Sequence, residues 1–409
     1  MDNVLKKIST DNTDRVYLDI ASATPMDKEV LLAMSPYFVD FYGNPNSIHE
    51  EGRTARSAID SARTQVARCL QVRDELVTFT SGGTESNNLA IIGYINSLYR
   101  TGLAYKEMHI ITSSIEHPSI LKTLEELGHW GVRVDFVTLN EFGMIEVEDL
   151  YNKLRPETVL VTVAHINSEI GVIQDTLKIS KKISLYARNN NQKRRALLHV
   201  DAAQSPLWKS VHMSKLGADL LSLDASKFYG PKGIGVLVAN QKQPIEHGVM
   251  FGGSQEHNLR PGTESVPLIV GFAKALLFAQ DKYLERSTYV SKLRDFLINN
   301  LLQINGVIVN GPLGDMRVAN NVNISIPGLD TEFASIVLDK AGFSVGTKSA
   351  CSTVSSDTSN VVLGISGDTG RAMSTLRFTL HERVSKDQLG RLLNVLSDHV
   401  QKMKGFSSL

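Results

Sequence analysis

Short β-rich runs of apolar residues alternate with longer helical stretches from Val77 to Ala239. Helical stretches such as Thr84–Tyr99 and Pro118–Gly128 lie between successive runs. Because strands separated by helices in this way pair in parallel, the alternation predicts a mostly parallel sheet covered by helices on both faces. The seven runs are Val77–Thr80, His109–Thr112, Val132–Thr138, Val159–Ala164, Ala196–Val200, Asp219–Leu223 and Ile234–Ala239.

The last two runs differ from the others, because only a turn-rich segment separates Leu223 from Ile234. A connection this short suits an antiparallel pair, whereas a parallel pair needs a long crossover. We therefore predict an α/β fold whose large domain holds a seven-stranded, mostly parallel sheet with one antiparallel pair near its end.

The pattern changes near residue 265. A long helical run from Val266 to about Leu302 is followed by short strand-like segments and a final helix. This favours a large domain over residues 15–265 and a smaller α+β domain over residues 266–409, with residues 1–14 packing nearby. The strand-like segments are Gly306–Val309, Asn321–Ile326 and Ser374–Leu380.

Composition excludes several classes of protein. The 409 residues are 42% hydrophobic and 21% charged, which excludes general disorder. Lysine plus arginine equals aspartate plus glutamate at 43 each, so the chain lacks the basic excess of a direct nucleic-acid binder. The stretch Val266–Ala279 is too short to span a bilayer, and the polar N-terminal residues lack the apolar core of a secretory signal. We expect a cytoplasmic protein without membrane contact.

Cysteines and histidines do not organise this chain. Cys69 and Cys351 are the only cysteines, so a disulfide framework is excluded. No group of cysteines and histidines has the spacing of a structural zinc site, and we predict no bound metal. Cys69 ends an amphipathic helical pattern and is expected to be inert.

Polar residues follow the predicted strands directly, and in an open parallel sheet ligands bind beyond the carboxyl ends of strands. Ser81-Gly82-Gly83-Thr84 leads from a strand into a helix, where two glycines and free N–H groups suit a phosphate. Asp201 follows an apolar strand, and a buried carboxylate needs a partner. His117 and Lys227 follow two other strands.

Each of these features has an ordinary structural explanation. A Gly-Gly turn before a helix is often a plain connection, and Asp201 with Lys227 is compatible with a simple ion pair. We call the Ser81–Thr84 loop with the helix start that follows it the anion cradle. Together, however, this anion cradle, a buried acid, a histidine and a lysine are what pyridoxal 5'-phosphate (PLP) requires. Its phosphate, aldehyde and ring nitrogen need a helix N-terminus, an amine and an acid, respectively.

The chain resembles the PLP-dependent cysteine desulfurases, which belong to the class V aminotransferase group and have the PLP-dependent transferase fold type I. The matching segments occur in family order over nearly the whole chain: Tyr17-Leu18-Asp19, Gly43-Asn44-Pro45, Phe79 to Ala90, Glu116-His117, Asn167 to Gly171, His199 to Ser205, Lys227 to Gly233, Arg260 to Glu264, Ser349 to Ser352, Ile365 and Arg377-Phe378.

The resemblance implies a role for each matching residue. Lys227 binds the cofactor aldehyde and later moves the substrate α-proton, and Asp201 pairs with the ring nitrogen. His117 stacks on the ring and shuttles protons, and Arg377 binds the substrate carboxylate. The implied cofactor contacts are Gly83, Thr84, His117, Ser168, Asp201, Gln204, Ser226, Lys227 and, from a second subunit, Thr263. Asn167 joins Arg377 as a substrate contact.

Cys351 is the nucleophile that the resemblance implies. Its thiolate takes the sulfur of L-cysteine, which leaves L-alanine and a persulfide on Cys351. The surrounding segment from Gly346 to Ser356 is small and polar, as in a mobile surface loop. Lys348 is placed to lower the thiol pKa.

Three positions depart from the family pattern. Ser168 stands where a second asparagine is usual, while Asp224 and Ser226 stand where a serine and a histidine usually contact the phosphate. Two charges 4 Å apart at an effective dielectric of 20 repel by about 4 kcal/mol. We therefore expect PLP to bind with the Asp224 carboxylate turned away from the phosphate to cap a turn or pair with a cation.

The expected protein is a homodimeric cysteine desulfurase. Its sulfur acceptor is an iron–sulfur scaffold, a sulfur carrier or a tRNA-thiolating enzyme, and the sequence does not choose among them. A related lyase or aminotransferase, such as a selenocysteine lyase, remains open. So does a non-catalytic dimer partner whose cofactor site has decayed.

Overall fold

The computed structural model describes residues 15–240, 244–347 and 358–407. Its strands form two sheets. The seven-stranded sheet has the order β2-β8-β7-β6-β5-β3-β4, and the five-stranded sheet has the order β1-β11-β12-β10-β9. The strands are β1 (Val16–Leu18), β2 (Val77–Thr80), β3 (His109–Thr112), β4 (Arg133–Phe136), β5 (Thr158–Ala164), β6 (Leu197–Asp201), β7 (Leu220–Asp224), β8 (Gly235–Ala239), β9 (Ile308–Val309), β10 (Asn321–Ser325), β11 (Phe343–Thr347) and β12 (Thr375–Thr379).

The large sheet confirms the predicted fold class. Strands β4, β3, β5, β6 and β7 pair in parallel in that order, and β8 pairs antiparallel with both β7 and β2. Opposite residues include Leu223 and Val236, as the short connection requires. Strands β2, β3 and β8 are buried along their whole length, which explains why they read as continuous apolar runs.

Helices cover the sheet, and several begin at side chains that cap them. His117 caps the helix that starts at Pro118, and Asp175 caps the helix that starts at Thr176. Among the described residues, no helix combines the length and apolar character needed to cross a membrane. The α-helices are Lys28–Met34, Pro36–Val39, Glu50–Leu70, Gly83–Asn88, Tyr94–Arg100, Pro118–His129, Val147–Lys153, Thr176–Asn189, Met213–Leu216, Val266–Asp281, Tyr283–Leu301, Thr331–Lys340, Asn360–Ser366, Thr369–Met373 and Lys386–Ser407.

Two contacts between the predicted domains were not foreseen. Strand β1 pairs in parallel with β11, so Val16 lies opposite Phe343, and neither strand was recognised in the sequence. The helix Val266–Asp281 packs against the helix Glu50–Leu70 and thus against the large sheet's side of the molecule. Both contacts cross the predicted boundary at residue 265. The division into residues 15–265 and 266–409 stays a prediction, and residues 1–14 lie outside the described residues.

Candidate active site

A cavity of about 320 Å³ lies at the carboxyl ends of β3, β5, β6 and β7, where the sequence placed the chemistry. Its lining comes from segments far apart in the chain, including strand β12 of the smaller sheet. Nine of the predicted site residues line this cavity: Gly83, Thr84, His117, Asn167, Ser168, Asp201, Gln204, Lys227 and Arg377. Asp224 lines it as well.

Asp201 ends strand β6 and has the partners that its burial requires. Its Oδ2 accepts a hydrogen bond from Asn87 Nδ2 at 2.8 Å, and its Oδ1 accepts one from the Ala203 N–H at 3.0 Å. The carboxylate is therefore fixed in the cavity by two neutral donors, where it can accept a further hydrogen bond from a ligand.

Lys227 ends the short 3₁₀ turn Ala225–Lys227 that follows β7. Its Nζ donates to the carbonyl oxygen of Ser22 at 2.5 Å. The next residue, Phe228, is fully buried against Phe272, which anchors the turn to the core. The lysine amine thus enters the same cavity as Asp201 without forming the simple ion pair with it that the sequence left open.

His117 caps the helix Pro118–His129 and lines the cavity. Its Nδ1 accepts a hydrogen bond from the Ser119 N–H at 3.1 Å and lies 2.8 Å from Ser119 Oγ. Ser119 Oγ in turn accepts from Asn87 Nδ2 at 2.9 Å. His117 is therefore connected to Asp201 through Ser119 and Asn87.

Asp224 does not turn away from the anion cradle. Its Oδ1 caps the turn, as predicted, by accepting from Ser226 N and Oγ at 2.9 and 2.7 Å. However, Oδ2 accepts the Gly83 N–H at 3.0 Å, so the carboxylate binds a donor expected to hold the phosphate. The carboxylate is held in this position because Gly83 and Ser226 present donors on both sides of it. That it lies away from the phosphate when PLP is bound stays a prediction.

Arg377 lies on β12 and is almost fully buried. Its Nη2 donates to Asp19 Oδ1 and to Ser22 Oγ, both at 2.7 Å, and its Nη1 donates to the carbonyl oxygen of Ser168 at 3.1 Å. Within the described part of the chain, its Nε is buried and has no hydrogen-bond partner. The guanidinium is thus oriented by Asp19 and retains an unused donor.

The amide of Asn167 is engaged within the protein. Its Nδ2 donates to the carbonyl oxygen of Ile115 at 2.8 Å, and its Oδ1 accepts from Glu169 N and Ile170 N at 2.9 and 3.0 Å. Although Asn167 lines the cavity, these contacts favour a role in shaping its wall. Gln204 Nε2 likewise donates to the carbonyl oxygen of Ala21 at 2.9 Å.

Two predicted contacts lie apart from the cavity in this chain. Ser226 does not line it, and its carbonyl oxygen instead accepts from Thr24 N and Oγ1. Thr263 is exposed and also absent from the lining, and its role toward a second subunit stays a prediction. Cys351 and Lys348 lie outside the described residues. Cys69 is half-buried, and burial raises the pKa of its thiol, in line with the expectation of an inert residue.

Two buried glutamates and Asn87 line the cavity but were not among the predicted site residues. Glu116 accepts from Ser113 Oγ at 2.5 Å and from Ala164 N at 2.7 Å. Burial raises the pKa of Glu116 to about 8, and the nearby charge of Asp201 adds to this effect. Burial also raises the pKa of Glu169, whose carboxyl accepts from Ser359 Oγ. The Glu116-His117 pair was visible in the sequence, but the burial of its carboxyl was not.

Comparisons with known proteins agree with this geometry. The sequence model of the family described as Aminotransferase class-V matches residues 16–392. "Cysteine desulfurase IscS" of Dictyoglomus turgidum is 39% identical, with 96% of this chain and 96% of the relative covered. The chain belongs to the cysteine desulfurase family. "Cysteine desulfurase IscS 1" of Archaeoglobus fulgidus is 37% identical, with 96% of this chain and 99% of the relative covered.

The fold of this cysteine desulfurase also has solved counterparts. A structure titled "NifS-like protein" superposes with a TM-score of 0.85 at 29% identity, covering 95% of this chain and 99% of that one. The predicted fold type I architecture and the family resemblance are therefore confirmed. Members of this family depend on PLP.

The cavity fits PLP at the ring end. Asp201 supplies an acid for the ring nitrogen, Lys227 supplies an amine, and His117 is a third wall residue. At the other end, Asp224 is bound to Gly83 N. The residues present thus suit the cofactor ring and aldehyde, while the phosphate has to share its cradle with a carboxylate.

Proposed function

We propose that this chain is a cytoplasmic, PLP-dependent cysteine desulfurase that converts L-cysteine to L-alanine and carries the sulfur as a persulfide on Cys351. The observation that carries this proposal is the meeting of Lys227, Asp201 and Arg377 in one cavity. They come from the turn after β7, the end of β6 and strand β12 of the other sheet. Family membership supports the same reaction.

PLP, when bound, supplies an electron sink for the pair of electrons released from the substrate Cα–H bond. Asp201 would hold the ring nitrogen in its protonated form, since a carboxylate favours a cationic ring. Lys227 would hold the cofactor aldehyde, and its Nζ would also be the base for the substrate α-proton. His117 lines the ring position and is coupled to Asp201 through Ser119 and Asn87.

Arg377 is the proposed site for the substrate carboxylate. Its guanidinium is held by Asp19 and Ser22, and the residue lines the cavity. An arginine already oriented by an acid binds a carboxylate at lower entropic cost than a free one. Asn167 shapes the wall beside it.

The sulfur step belongs to Cys351. Its thiolate attacks the substrate sulfur, so an S–S bond forms and the substrate Cβ–S bond breaks. Cβ then takes a proton and becomes the methyl group of alanine. Family membership supports this assignment, and Cys351 itself lies outside the described residues.

The proposed enzyme is a homodimer in which Thr263 of one subunit faces the other subunit's cradle. Next to Thr263, Glu264 accepts from Arg56 Nη2 at 2.9 Å and so lies beside the segment that carries Ile48. Ile48 and Phe251 are 91% and 86% exposed, and we propose that a second subunit covers them. The sulfur acceptor is a further protein, either an iron–sulfur scaffold, a sulfur carrier or a tRNA-thiolating enzyme.

A sulfide and alanine assay tests the reaction. Full-length protein loaded with PLP is given L-cysteine and a thiol reductant, and both products are measured. We expect equal amounts of sulfide and alanine from wild type, and almost none from Lys227→Ala or Cys351→Ala. Cys69→Ala is the matched control and should remain active.

Other results would redirect the assignment. A related lyase would be favoured if alanine formation did not require Cys351 and if Cys351→Ala were fully active on selenocysteine alone. Absence of product together with no borohydride-trapped PLP on Lys227 would reject the proposed function in favour of a non-catalytic partner.

Analytical ultracentrifugation tests the proposed dimer. Wild type should sediment with twice the chain mass, and the double variant Ile48→Asp with Phe251→Asp should sediment as a monomer. Ile336→Asp, on the helix Thr331–Lys340, is the control and should stay dimeric.

A further inference from the structure

The anion cradle of this chain already contains an anion. Asp224 Oδ2 lies 3.0 Å from Gly83 N, and a Cβ placed on Gly83 would lie 3.2 Å from both Cβ and Oδ2 of Asp224. The carboxylate therefore fills the space directly in front of the Gly83 amide.

This position of the carboxylate is fixed from both sides. Oδ1 accepts from Ser226 N and Oγ, while Oδ2 accepts from Gly83 N. Strand β8 holds the two segments together, because Gly235 lies opposite Asp224 and a Cβ on it would come within 2.6 Å of the Gly82 carbonyl carbon. A different carboxylate rotamer has to give up bonds at both ends.

The neighbouring loop amides are also bound within the chain. Ser81 N donates to Glu85 Oε2 at 2.6 Å, and Gly82 N donates to Thr80 Oγ1 at 3.4 Å. The nearby Arg260 lies 3.3 Å from Glu85 Oε1 and is therefore directed at that acid. Lys227 Nζ is directed at Ser22. Neither of these cations is directed at Asp224.

We propose that Asp224 is a built-in competitor for the cofactor phosphate. One N–H serves one strong acceptor, and two adjacent anions repel, so phosphate enters the cradle only when the carboxylate leaves Gly83. The enzyme thus binds PLP more weakly than it would with a neutral residue at position 224. Asp224 therefore sets how strongly phosphorylated ligands are preferred over unphosphorylated ones. This inference rests on the proposed function for the identity of the cofactor.

Spectral titration of the full-length protein, stripped of cofactor, measures the effect. Wild type, Asp224→Asn and Asp224→Ser are titrated with PLP and with pyridoxal, which has the same ring and aldehyde but no phosphate. We expect the Kd for PLP to fall by roughly tenfold or more in both variants, because the repulsion is removed. The Kd for pyridoxal should change by less than about twofold, since the ring end is untouched.

Two controls separate charge from other effects. Asp224→Glu keeps the negative charge and should not tighten PLP. Asp330→Asn removes a charge outside the cavity, at a helix cap where Asp330 accepts from Phe333 N, and should also leave the Kd for PLP unchanged. Uptake of pyridoxal by each variant shows that it is folded.

Inorganic phosphate provides a readout that does not depend on aldehyde chemistry. Phosphate should raise the thermal unfolding temperature of Asp224→Asn more than that of wild type. The inference is overturned if Asp224→Asn gains neither PLP affinity nor phosphate stabilisation, or if pyridoxal tightens as much as PLP does. Failure of the proposed function looks different, because then wild type and both variants take up neither aldehyde while the phosphate comparison still decides the role of Asp224.

Discussion

Asn87 Nδ2 lies 2.8 Å from Asp201 Oδ2 and joins the helix after the anion cradle to the end of strand β6. The same amide nitrogen donates to Ser119 Oγ, which contacts His117 Nδ1. Asn87 is therefore the branch point between the acid for the ring nitrogen and the histidine on the ring. Among the described residues, its Oδ1 is buried and has no hydrogen-bond partner.

Asn87→Ala should lower kcat with L-cysteine by about tenfold, since Asp201 loses one of its two donors and His117 loses its connection to it. Steady-state kinetics at saturating PLP measures this. Asn88→Ala is the control, because the Asn88 side chain donates to the Thr84 carbonyl oxygen and accepts from Thr123 Oγ1, and it contacts neither Asp201 nor His117. Equal losses in both variants would contradict the role given to Asn87.

Asp19→Ala should lower the free energy of unfolding by about 3 kcal/mol, because it leaves the buried Arg377 guanidinium without its carboxylate partner. The KM for L-cysteine should rise as well, since Arg377 is no longer oriented. Chemical denaturation and kinetics check the two effects. Glu125→Ala is the control: it removes an exposed salt bridge with Lys122 and should change the free energy of unfolding by less than about 1 kcal/mol.

Glu116 should make the native state less stable as pH rises. Its pKa is about 8 in the folded state and lower when unfolded, so the unfolded chain binds fewer protons between these values. The free energy of unfolding therefore loses about 1 kcal/mol per pH unit from the pH 5 region up to about pH 8. Denaturation of Glu116→Gln over this range should lack that loss, and parallel curves for variant and wild type would contradict it.

His165 should have the opposite effect at acid pH. Burial lowers its pKa to about 4, and its Nδ1 lies 2.8 Å from Ser205 Oγ. The unfolded chain binds more protons between pH 6.5 and about 4, so stability is lost as pH falls through this window. His165→Gln should unfold with a shallower acid dependence than wild type, measured by denaturation at several pH values. His199, whose pKa is also about 4, leaves a remaining slope in both proteins.

Local pattern predicted the large sheet well, because its strands are buried on both faces and read as unbroken apolar runs. Strands β2 and β3 have the predicted bounds, whereas β4 is shorter than Val132–Thr138. Strands β1 and β11 were missed. They pair with each other across more than three hundred residues, and such short segments carry little signal of a distant partner.

The sequence by itself determined which chemistry is available, because an amine, an acid, a histidine and a Gly-Gly turn each follow a strand. Parallel pairing brings such positions to one edge of a sheet. Only the tertiary structure decided that Arg377 is held by Asp19, that Glu116 is buried enough to keep its proton, and that Asp224 binds Gly83. These outcomes depend on distances between residues far apart in the chain, which no local pattern encodes.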